Sequence, residues 1–304
     1  MKKIDRILLL GSSGQIGSSL KKKLKEVGKK IICLSKKKLN LENKSLIKKI
    51  LNKTRPSLII NAAAYTKVDE AEVNKKLCYK INVLSTKEIA DWAYKNNSFL
   101  VHYSTVYIFS GKKKNSWSEN DKPNPVNFYG KSKLKAEKKI ILSKCNYLIL
   151  RLNWIYSDKG NSFPRKIIEK IIKENKVSVV NNQIGTPNHA EFISNITIKI
   201  LRKIINNYAI NPKILNVSAN GRINYYKFAK KIQQILSPKY RSCSLIPINA
   251  ENFKKISIHN KTAKRPLNSL LNIQKLENFL NLKMPNWEII FKNKINQLIK
   301  NCLK

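Results

Sequence analysis

The chain has few acidic residues. Its 304 residues include 18 Asp and Glu against 61 Lys and Arg, so the formal net charge is +43. This balance favours acidic ligands and raises nucleic acid as an alternative partner. The lysines, however, are spread from residues 21–23 through 112–114 to Lys304, without a basic tail or an aromatic-rich motif. Because Lys, Asn and Ile are all enriched and all have A- and T-rich codons, genome composition accounts for the charge, and we predict no nucleic-acid partner.

Histidine and cysteine are also scarce. The three histidines are His102, His189 and His259, and the five cysteines are Cys33, Cys78, Cys145, Cys243 and Cys302. No HExxH or CxxC spacing occurs among them, so the residues themselves predict no metal site. We interpret the cysteines as reduced thiols of a cytoplasmic protein.

Long apolar runs are absent too. A helix needs about eighteen apolar residues to span a bilayer, and no run approaches that length. The N-terminal MKKIDRILLLG resembles a signal peptide, but its apolar stretch ends at Leu10 and Gly11 follows. We interpret this run as a buried first strand and predict no membrane partner.

Short apolar runs alternate with amphipathic helical patterns through the first half of the chain. Strands are predicted over 7–10, 31–34, 57–61, 99–104 and 147–152. Helices are predicted between them over 15–27, 43–53, 70–95 and 128–143. This alternation predicts an α/β fold with a doubly wound parallel sheet of the Rossmann type.

The pattern becomes less regular after residue 153. Helices are predicted over 163–174, 190–206 and 225–236, interleaved with turn-rich segments such as 181–191 and 259–269. We predict a dinucleotide-binding domain over 1–153 together with roughly 189–217. A smaller, interleaved substrate-binding region is predicted over 154–188 and 218–304, folded over the carboxyl edge of the sheet, where ligands of such sheets bind.

A glycine-rich loop follows the first predicted strand. Gly11, Gly14 and Gly17 form the pattern G-x-x-G-x-x-G between that strand and the first helix. Small residues here let the backbone approach a pyrophosphate, while the helix N-terminus supplies unpaired N–H groups. The loop therefore predicts dinucleotide binding, with a plain glycine turn as the alternative.

The residues after the second strand bear on the choice of dinucleotide. Ser35 and Lys36 follow Leu34, at a position where an NAD site usually has an acidic side chain for the ribose 2′-OH. Hydroxyl and ammonium groups suit a 2′-phosphate better. We predict NADPH, with NADH as the alternative if these lysines only belong to the general excess.

One tyrosine–lysine pair stands in the context of an active site. The spacing Tyr-x-x-x-Lys or Arg occurs at Tyr129 with Lys133, at Tyr147 with Arg151 and at Tyr226 with Lys230. Tyr129 begins a predicted helix at the sheet edge that carries the glycine loop, and a lysine one helical turn away favours the phenolate. Tyr147 lies inside a predicted strand and Tyr226 in the later region. Context therefore selects Tyr129 as an acid–base candidate, with Ser104 and Thr105 ending the neighbouring strand.

Several segments together resemble one family. They are the glycine loop, NAAAYTKVDEAE (61–72), HYSTVYIFSG (102–111), YGKSKLKAE (129–137), RLNWIY (151–156), NNQIGTPNHAE (181–191) and KRPLNS (264–269). Their order is similar to that in dTDP-4-dehydrorhamnose reductases, which are extended short-chain dehydrogenase/reductases. The resemblance implies an oxidoreductase that uses NADPH to reduce the 4-keto group of dTDP-4-dehydro-L-rhamnose, or of a close nucleotide-linked 4-keto-6-deoxy sugar. The product would be dTDP-L-rhamnose for polysaccharide biosynthesis.

The resemblance also implies roles for individual residues. Its catalytic Thr/Tyr/Lys set falls on Thr105, Tyr129 and Lys133. Tyr129 is expected to protonate the sugar C4 oxygen, Lys133 to hold the nicotinamide ribose and lower the tyrosine pKa, and Thr105 to bind the reacting oxygen. Further cofactor contacts are implied at Gly14, Gln15, Ile16, Asn40, Leu41, Ala64, Tyr65 and Thr66.

The implied substrate side is formed by later segments. Trp154 matches a residue that packs on the sugar, and Gln183 and Arg265 lie in segments on the nucleotide-sugar side, where an arginine could pair with diphosphate oxygens. The alternatives are a core tryptophan, a loop glutamine and a surface arginine. In some relatives the segment with Glu191 is linked to magnesium and to dimer contacts, so both magnesium and a homodimer stay open.

One position departs from the family pattern. The fourth strand of the family usually ends in Ser-Thr-Asp-Tyr, whereas this chain has Val106 after Ser104 and Thr105, before Tyr107. Three explanations are open: the carboxylate is dispensable, the substrate differs, or turnover has been lost. If the carboxylate only binds substrate, Val106→Asp is expected to raise kcat/KM. If turnover has been lost, a non-catalytic NADP-binding subunit, like the regulatory subunit of methionine adenosyltransferase, is the alternative function.

Overall fold

The computed structural model describes residues 4–27, 30–158, 160–206, 212–236, 243–256 and 262–303. Within these ranges the strands are β1 (Arg6–Leu10), β2 (Lys30–Leu34), β3 (Leu58–Asn61), β4 (Phe99–Thr105), β5 (Asn146–Leu152), β6 (Ile155–Tyr156), β7 (Lys176–Val180), β8 (Ile184–Gly185), β9 (Asn188–His189), β10 (Ile214–Val217), β11 (Ile223–Asn224) and β12 (Ser244–Ile248). The helices are α1 (Gln15–Lys23), α2 (Lys44–Thr54), α3 (Val68–Val73), α4 (Lys75–Tyr79), α5 (Ser85–Lys95), α6 (Phe128–Leu142), α7 (Phe163–Lys173), α8 (Ala190–Asn206), α9 (Tyr225–Leu236), α10 (Ala250–Ile256), α11 (Gln274–Leu280) and α12 (Trp287–Cys302).

The largest sheet in the described part of the chain has six parallel strands in the order β10-β5-β4-β3-β1-β2. The first five predicted strands are confirmed to within one residue at each end. Because the chain crosses from β2 back over β1 to β3, the strand order reverses beside β1, and ligands of such sheets bind at that point. The register pairs Leu10 with Asn61, and Asn61 with His102, so the carboxyl ends of these strands meet there.

Each face of the sheet is covered by helices. Alternate strand residues point to opposite faces, so Leu9, Ile60 and Val101 belong to one apolar cluster and Leu8, Ile59 and Leu100 to another. Helices α1 and α8 pack together over the first face, whereas α2, α5 and α6 cover the second. The predicted doubly wound α/β fold is confirmed.

The predicted helix over 70–95 is wrong in detail. The segment forms α3, α4, a π-helical turn over Lys80–Leu84 and then α5. The break lies at Asn74, whose backbone dihedrals (φ −90°, ψ 48°) are not helical. Apolar periodicity continues through such a break, so the pattern alone did not reveal it.

The second half contributes to both parts of the fold. Strand β10 joins the large sheet beside β5, and β7 pairs with β12 in a separate two-stranded sheet packed against α9. The predicted helices α7, α8 and α9 are confirmed to within one residue. Strand β10 has only four residues, too few to show a period of two. The division into two domains stays a prediction, and residues 259–261 of the second turn-rich segment lie outside the described residues.

None of the helices in the described ranges combines the length and apolarity needed to cross a bilayer.

Candidate active site

The glycine loop lies tightly between β1 and α1. Gly11 has φ +76°, and a Cβ there would come within 2.7 Å of the Ala63 nitrogen. A Cβ on Gly17 would lie 2.0 Å from the Gly11 carbonyl oxygen, whereas one on Gly14 would meet that oxygen at 3.4 Å. Gly14 precedes the first turn of α1, which holds no acidic side chain. The loop is thus a backbone cradle at a helix N-terminus, which fits a dinucleotide pyrophosphate.

The end of β2 adjoins this cradle. The Leu34 carbonyl accepts hydrogen bonds from the Gly11 and Ser12 N–H groups at 2.9 and 3.0 Å. Ser35 follows half-buried and Lys36 exposed, so both residues follow directly on the strand end that contacts the loop. Their role toward a 2′-phosphate stays a prediction. The other two predicted residues here are less accessible: Leu41 is buried, and the Asn40 side chain accepts the Glu42 N–H at 3.1 Å.

The remaining predicted cofactor residues flank the loop. Gln15 accepts a hydrogen bond from the Ser157 hydroxyl at 3.1 Å, and Ile16 packs half-buried against the core. Ala64, Tyr65 and Thr66 follow β3, and of these Thr66 is exposed.

A buried asparagine fixes the backbone of this last segment. The Asn82 side-chain oxygen accepts the Tyr65 N–H at 2.8 Å, and its amide group donates to the Tyr65 carbonyl at 3.2 Å and to the Ser132 hydroxyl at 2.9 Å. Our sequence reasoning missed Asn82. The available signal was a single amide inside the apolar run KINVL, which must find hydrogen-bond partners when it is buried.

Thr105 and Tyr129 lie side by side. Thr105 ends β4, and Tyr129 is the second residue of α6, whose cap Asn127 accepts the Gly130 N–H at 2.7 Å. The Thr105 hydroxyl is close enough to the Tyr129 phenol to favour its ionised form. Burial raises the pKa of the Tyr129 phenol, and the Thr105 hydroxyl opposes this only in part. The phenol is therefore protonated at neutral pH and can serve as an acid.

Lys133 is buried one turn further along α6. Its side chain is 2% exposed, and Nζ donates to the Tyr103 carbonyl at 2.7 Å and lies 2.9 Å from His102 Nε2. Burial lowers the pKa of Lys133 to about 8, against an opposing effect of Glu137. Burial of the phenol is the dominant cause of the raised Tyr129 pKa, so the expected lowering of that pKa by Lys133 stays a prediction.

The other two pairs with this spacing, Tyr147 with Arg151 and Tyr226 with Lys230, make different contacts. Arg151 lies in β5 and forms a buried ion pair with Glu137, with its NH2 group 2.8 Å from the carboxylate. Lys230 in α9 lies 6.0 Å from the ring centre of Tyr226. Neither pair adjoins the glycine loop, so Tyr129 stays the acid–base candidate.

A chain of aromatic and charged groups leads from Tyr129 to the predicted substrate residues. The rings of Tyr129 and Tyr107 are 5.9 Å apart, edge to face. Burial raises the pKa of the Tyr107 phenol, and the nearby charge of Arg265 opposes this rise. Arg265 in turn donates to Asp69 at 2.7 Å, forming an ion pair. The pKa of the Tyr225 phenol is raised well above its usual range by burial, while Arg265 acts in the opposite direction.

Trp154 closes this side of the site. Its ring stacks on Tyr225 with centres 3.8 Å apart, and it adopts φ +33°, which is unusual outside glycine. A Cβ on Gly185 would lie 2.4 Å from the Trp154 ring, so the indole rests directly on that glycine. Sequence reasoning missed Tyr107, Tyr225 and Asp69, because their partners are far apart along the chain.

Two predicted substrate residues are buried instead. Gln183 is 6% exposed, next to β8. Val106 is 1% exposed and lies in an apolar cluster with Ile108, Phe109, Trp117 and Leu271. The structure thus brings Thr105, Tyr129, Trp154 and Arg265 into one site and keeps the Val106 side chain within its wall.

Glu191 does not belong to a cluster of metal ligands. Its carboxylate is paired with Lys294 and lies 3.6 Å from the Lys23 ammonium. Over the described ranges, no three His, Cys, Asp or Glu side chains are grouped so that they could hold a metal ion.

Comparison with known proteins decides the family. The family described as RmlD substrate binding domain matches residues 5–300. The dTDP-4-dehydrorhamnose reductase of Salmonella typhimurium is 32% identical over 295 residues, which are 96% of this chain and 97% of that protein. The chain belongs to the dTDP-4-dehydrorhamnose reductase family.

Solved structures of dTDP-4-dehydrorhamnose reductases have the same architecture. The Bacillus anthracis protein, solved in complex with NADP, superposes with a TM-score of 0.83 at 29% identity and covers 98% of this chain and 99% of its own. The Clostridium acetobutylicum protein gives a TM-score of 0.85, also at 29% identity, over 96% and 99% of the two chains. The resemblance predicted from the motifs is confirmed over nearly the whole length.

Proposed function

We propose that the protein is an NADPH-dependent reductase that converts dTDP-4-dehydro-L-rhamnose, or a close nucleotide-linked 4-keto-6-deoxy sugar, to dTDP-L-rhamnose for polysaccharide biosynthesis. The observation that carries this proposal is a protonated Tyr129 phenol beside Thr105, at the sheet edge that holds the glycine loop. A non-catalytic regulatory subunit would have no need of this acid.

The cofactor side uses the backbone cradle. The residues proposed to hold NADPH are Gly11, Gly14, Gln15, Ile16, Gly17, Ser35, Lys36, Asn40, Leu41, Ala64, Tyr65, Thr66, Tyr129 and Lys133. NADPH, when bound, supplies the hydride for the reduction. The α1 N-terminus offers N–H groups to its pyrophosphate, and Ser35 and Lys36 offer a hydroxyl and a positive charge to the 2′-phosphate.

The chain's own part in the reaction is proton transfer and orientation. Tyr129 donates its phenolic proton to the sugar C4 oxygen, and Thr105 hydrogen-bonds the same oxygen and so orients it. Arg265 pairs with the diphosphate, which requires it to share its charge between the ligand and Asp69. Trp154 packs on the sugar, with Gln183 and Val106 supporting the pocket from behind.

The setting follows from the same proposal. A nucleotide sugar is a cytoplasmic substrate, and five free thiols suit a reducing compartment. The homodimer stays a prediction.

The test is direct. The protein is mixed with NADPH and enzymatically generated dTDP-4-keto sugar, loss of NADPH absorbance is followed, and the sugar product is identified. The proposal expects stoichiometric NADPH loss and dTDP-L-rhamnose. Tight NADPH binding without oxidation, with several nucleotide-linked keto sugars supplied, would favour the regulatory subunit instead.

A further inference from the structure

Trp154 has a backbone conformation that requires support from its surroundings. Its φ of +33° lies in a region that bulky residues rarely adopt, and such a conformation persists only where the surrounding structure holds it. Asn153, which precedes it, and Asn188, which lies beside it, are both buried. Because buried amide groups must find hydrogen-bond partners, these two asparagines are the first place to look for that support.

Asn188 contacts both peptide units that flank the Trp154 Cα. Its backbone N–H donates to the Trp154 carbonyl at 3.0 Å, and its side-chain amide donates to the Asn153 carbonyl at 3.2 Å. Peptide units are planar, so the φ and ψ of a residue are set by the orientations of the units before and after it. By holding both units, Asn188 constrains both dihedral angles of Trp154.

The two asparagine side chains form a directed chain of hydrogen bonds. Asn188 Oδ1 accepts the Ala219 N–H at 2.7 Å, and Asn188 Nδ2 donates to Asn153 Oδ1, also at 2.7 Å. Asn153 Nδ2 then donates to the Ser269 carbonyl at 2.8 Å. A backbone N–H only donates and a carbonyl only accepts, so the two ends of this chain fix the orientation of both amide groups.

The Asn188 amide also reaches the segment on which the indole rests. Nδ2 donates to the Thr186 carbonyl at 2.8 Å and to the Ser218 hydroxyl at 3.2 Å. An amide nitrogen has only two hydrogens, so its four contacts are shared. Thr186 directly follows Gly185, the glycine beneath the Trp154 ring. The network therefore fixes the tryptophan and its support relative to each other.

We propose that Asn188 is a positioning residue that holds Trp154 in its left-handed backbone conformation, with Asn153 as its partner. The indole plane is thereby fixed between Gly185 and Tyr225. The consequence for the reaction rests on the proposed function, in which Trp154 packs on the sugar. Asn188 then sets the surface on which the sugar lies, although it is itself buried away from the ligand.

The decisive test is the ¹⁹F spectrum of protein labelled with 5-fluorotryptophan. The chain has four tryptophans, and Trp154→Phe assigns the Trp154 resonance by its disappearance. In Asn188→Ala this resonance should shift or broaden, because the indole is no longer held in one orientation. Asn216→Ala is the matched control, since Asn216 is equally buried and its amide donates to the carbonyls of Trp117 and Asn272. An unchanged Trp154 resonance in Asn188→Ala, or an equal change in the control, overturns the proposal.

If Asn188→Ala does not fold, the wild-type protein still decides. The Asn188 backbone N–H, which donates to the Trp154 carbonyl, should exchange with deuterium as slowly as the amides inside β5, because a firmly held segment opens only together with the sheet. Rapid exchange at this amide overturns the proposal.

Kinetics then separate this proposal from the proposed function. On dTDP-4-keto sugar, Asn188→Ala should raise KM by about three- to tenfold, the range of a lost aromatic packing contact, while kcat and NADPH affinity stay within about twofold. If the Trp154 resonance moves and KM does not, Asn188 positions Trp154 as proposed and the assignment of Trp154 to the sugar is wrong. The fluorine spectrum does not depend on turnover, so a wrong substrate would not mimic a wrong position of the indole.

Discussion

The two sides of the candidate active site are built in different ways. On the cofactor side the backbone forms most of the site, through three glycines within seven positions and the first turn of α1. On the substrate side the site is formed by side chains from distant segments, as in the ion pair between Asp69 and Arg265, which are 196 positions apart. The residues of the cofactor side are thus close together in the sequence, whereas those of the substrate side come together only when the chain folds.

This difference gives opposite expectations for changes on the two sides. The largest expected effect is that of a substitution at Val106. Val106→Asp would bury a carboxylate in the apolar cluster of Ile108, Phe109 and Trp117. The two cations that lie against these rings, Arg151 and Lys113, are already paired with Glu137 and Asp121. The expected result is a loss of about 3–5 kcal/mol in the free energy of unfolding, measured by urea denaturation, rather than a gain in kcat/KM. Val106→Ile is the matched control and should change stability little. A stable Val106→Asp protein with raised kcat/KM would show that this side chain does reach the substrate.

Gly17→Ala probes the backbone side. The added Cβ would lie 2.0 Å from the Gly11 carbonyl oxygen, so the loop and α1 must move apart. Such overpacking typically costs about 1–3 kcal/mol, and NADPH affinity measured by calorimetry should fall by about ten- to a hundredfold. Gly14→Ala is the control, since its Cβ would make only an ordinary contact at 3.4 Å. Equal losses in the two variants would mean that the cradle is not what binds the cofactor.

Arg265→Lys probes the side-chain side. The lysine keeps the charge but loses the planar fork that can hold Asp69 and a diphosphate together. We expect KM for the nucleotide sugar to rise about tenfold, since a hydrogen bond to a charged group contributes about 1.5–3 kcal/mol, while NADPH affinity stays unchanged. If NADPH affinity falls together with the affinity for the nucleotide sugar, Arg265 belongs to the cofactor side of the site.

The smallest expected effect is at Lys36. This side chain is exposed, so a charge change there is screened by solvent and salt. Lys36→Glu should reduce the preference for NADPH over NADH by several-fold, in dissociation constants measured by calorimetry for both cofactors. Lys38→Glu, also exposed and two residues on, serves as the control for net charge. If both variants lose the preference for NADPH over NADH to the same extent, the preference comes from the net charge of the protein and not from the position of Lys36.

The contrast between the sides also explains what could be predicted from the sequence. Strand runs, the glycine loop and the position of Tyr129 are local patterns, and the structure has them at the predicted residues. The role of Asn82 depends on Ser132, 50 positions away, and the pairing of Asn61 with His102 depends on strand register. The raised pKa of Tyr129 depends on burial, which spacing does not reveal. Motif order identified the family, but it did not reveal which side chains touch.

In the proposed reaction, the Tyr129 phenol is the acid of a keto-sugar reduction. The most direct test is single-turnover oxidation of NADPH by wild type and Tyr129→Phe on dTDP-4-dehydro-L-rhamnose, with Tyr226→Phe as the matched control. Loss of a general acid should slow the reaction by about 10²- to 10⁴-fold in Tyr129→Phe alone, with NADPH affinity within a few-fold of wild type. A Tyr129→Phe protein that retains more than about a tenth of the wild-type rate would contradict the claim, since general acid catalysis contributes more than that.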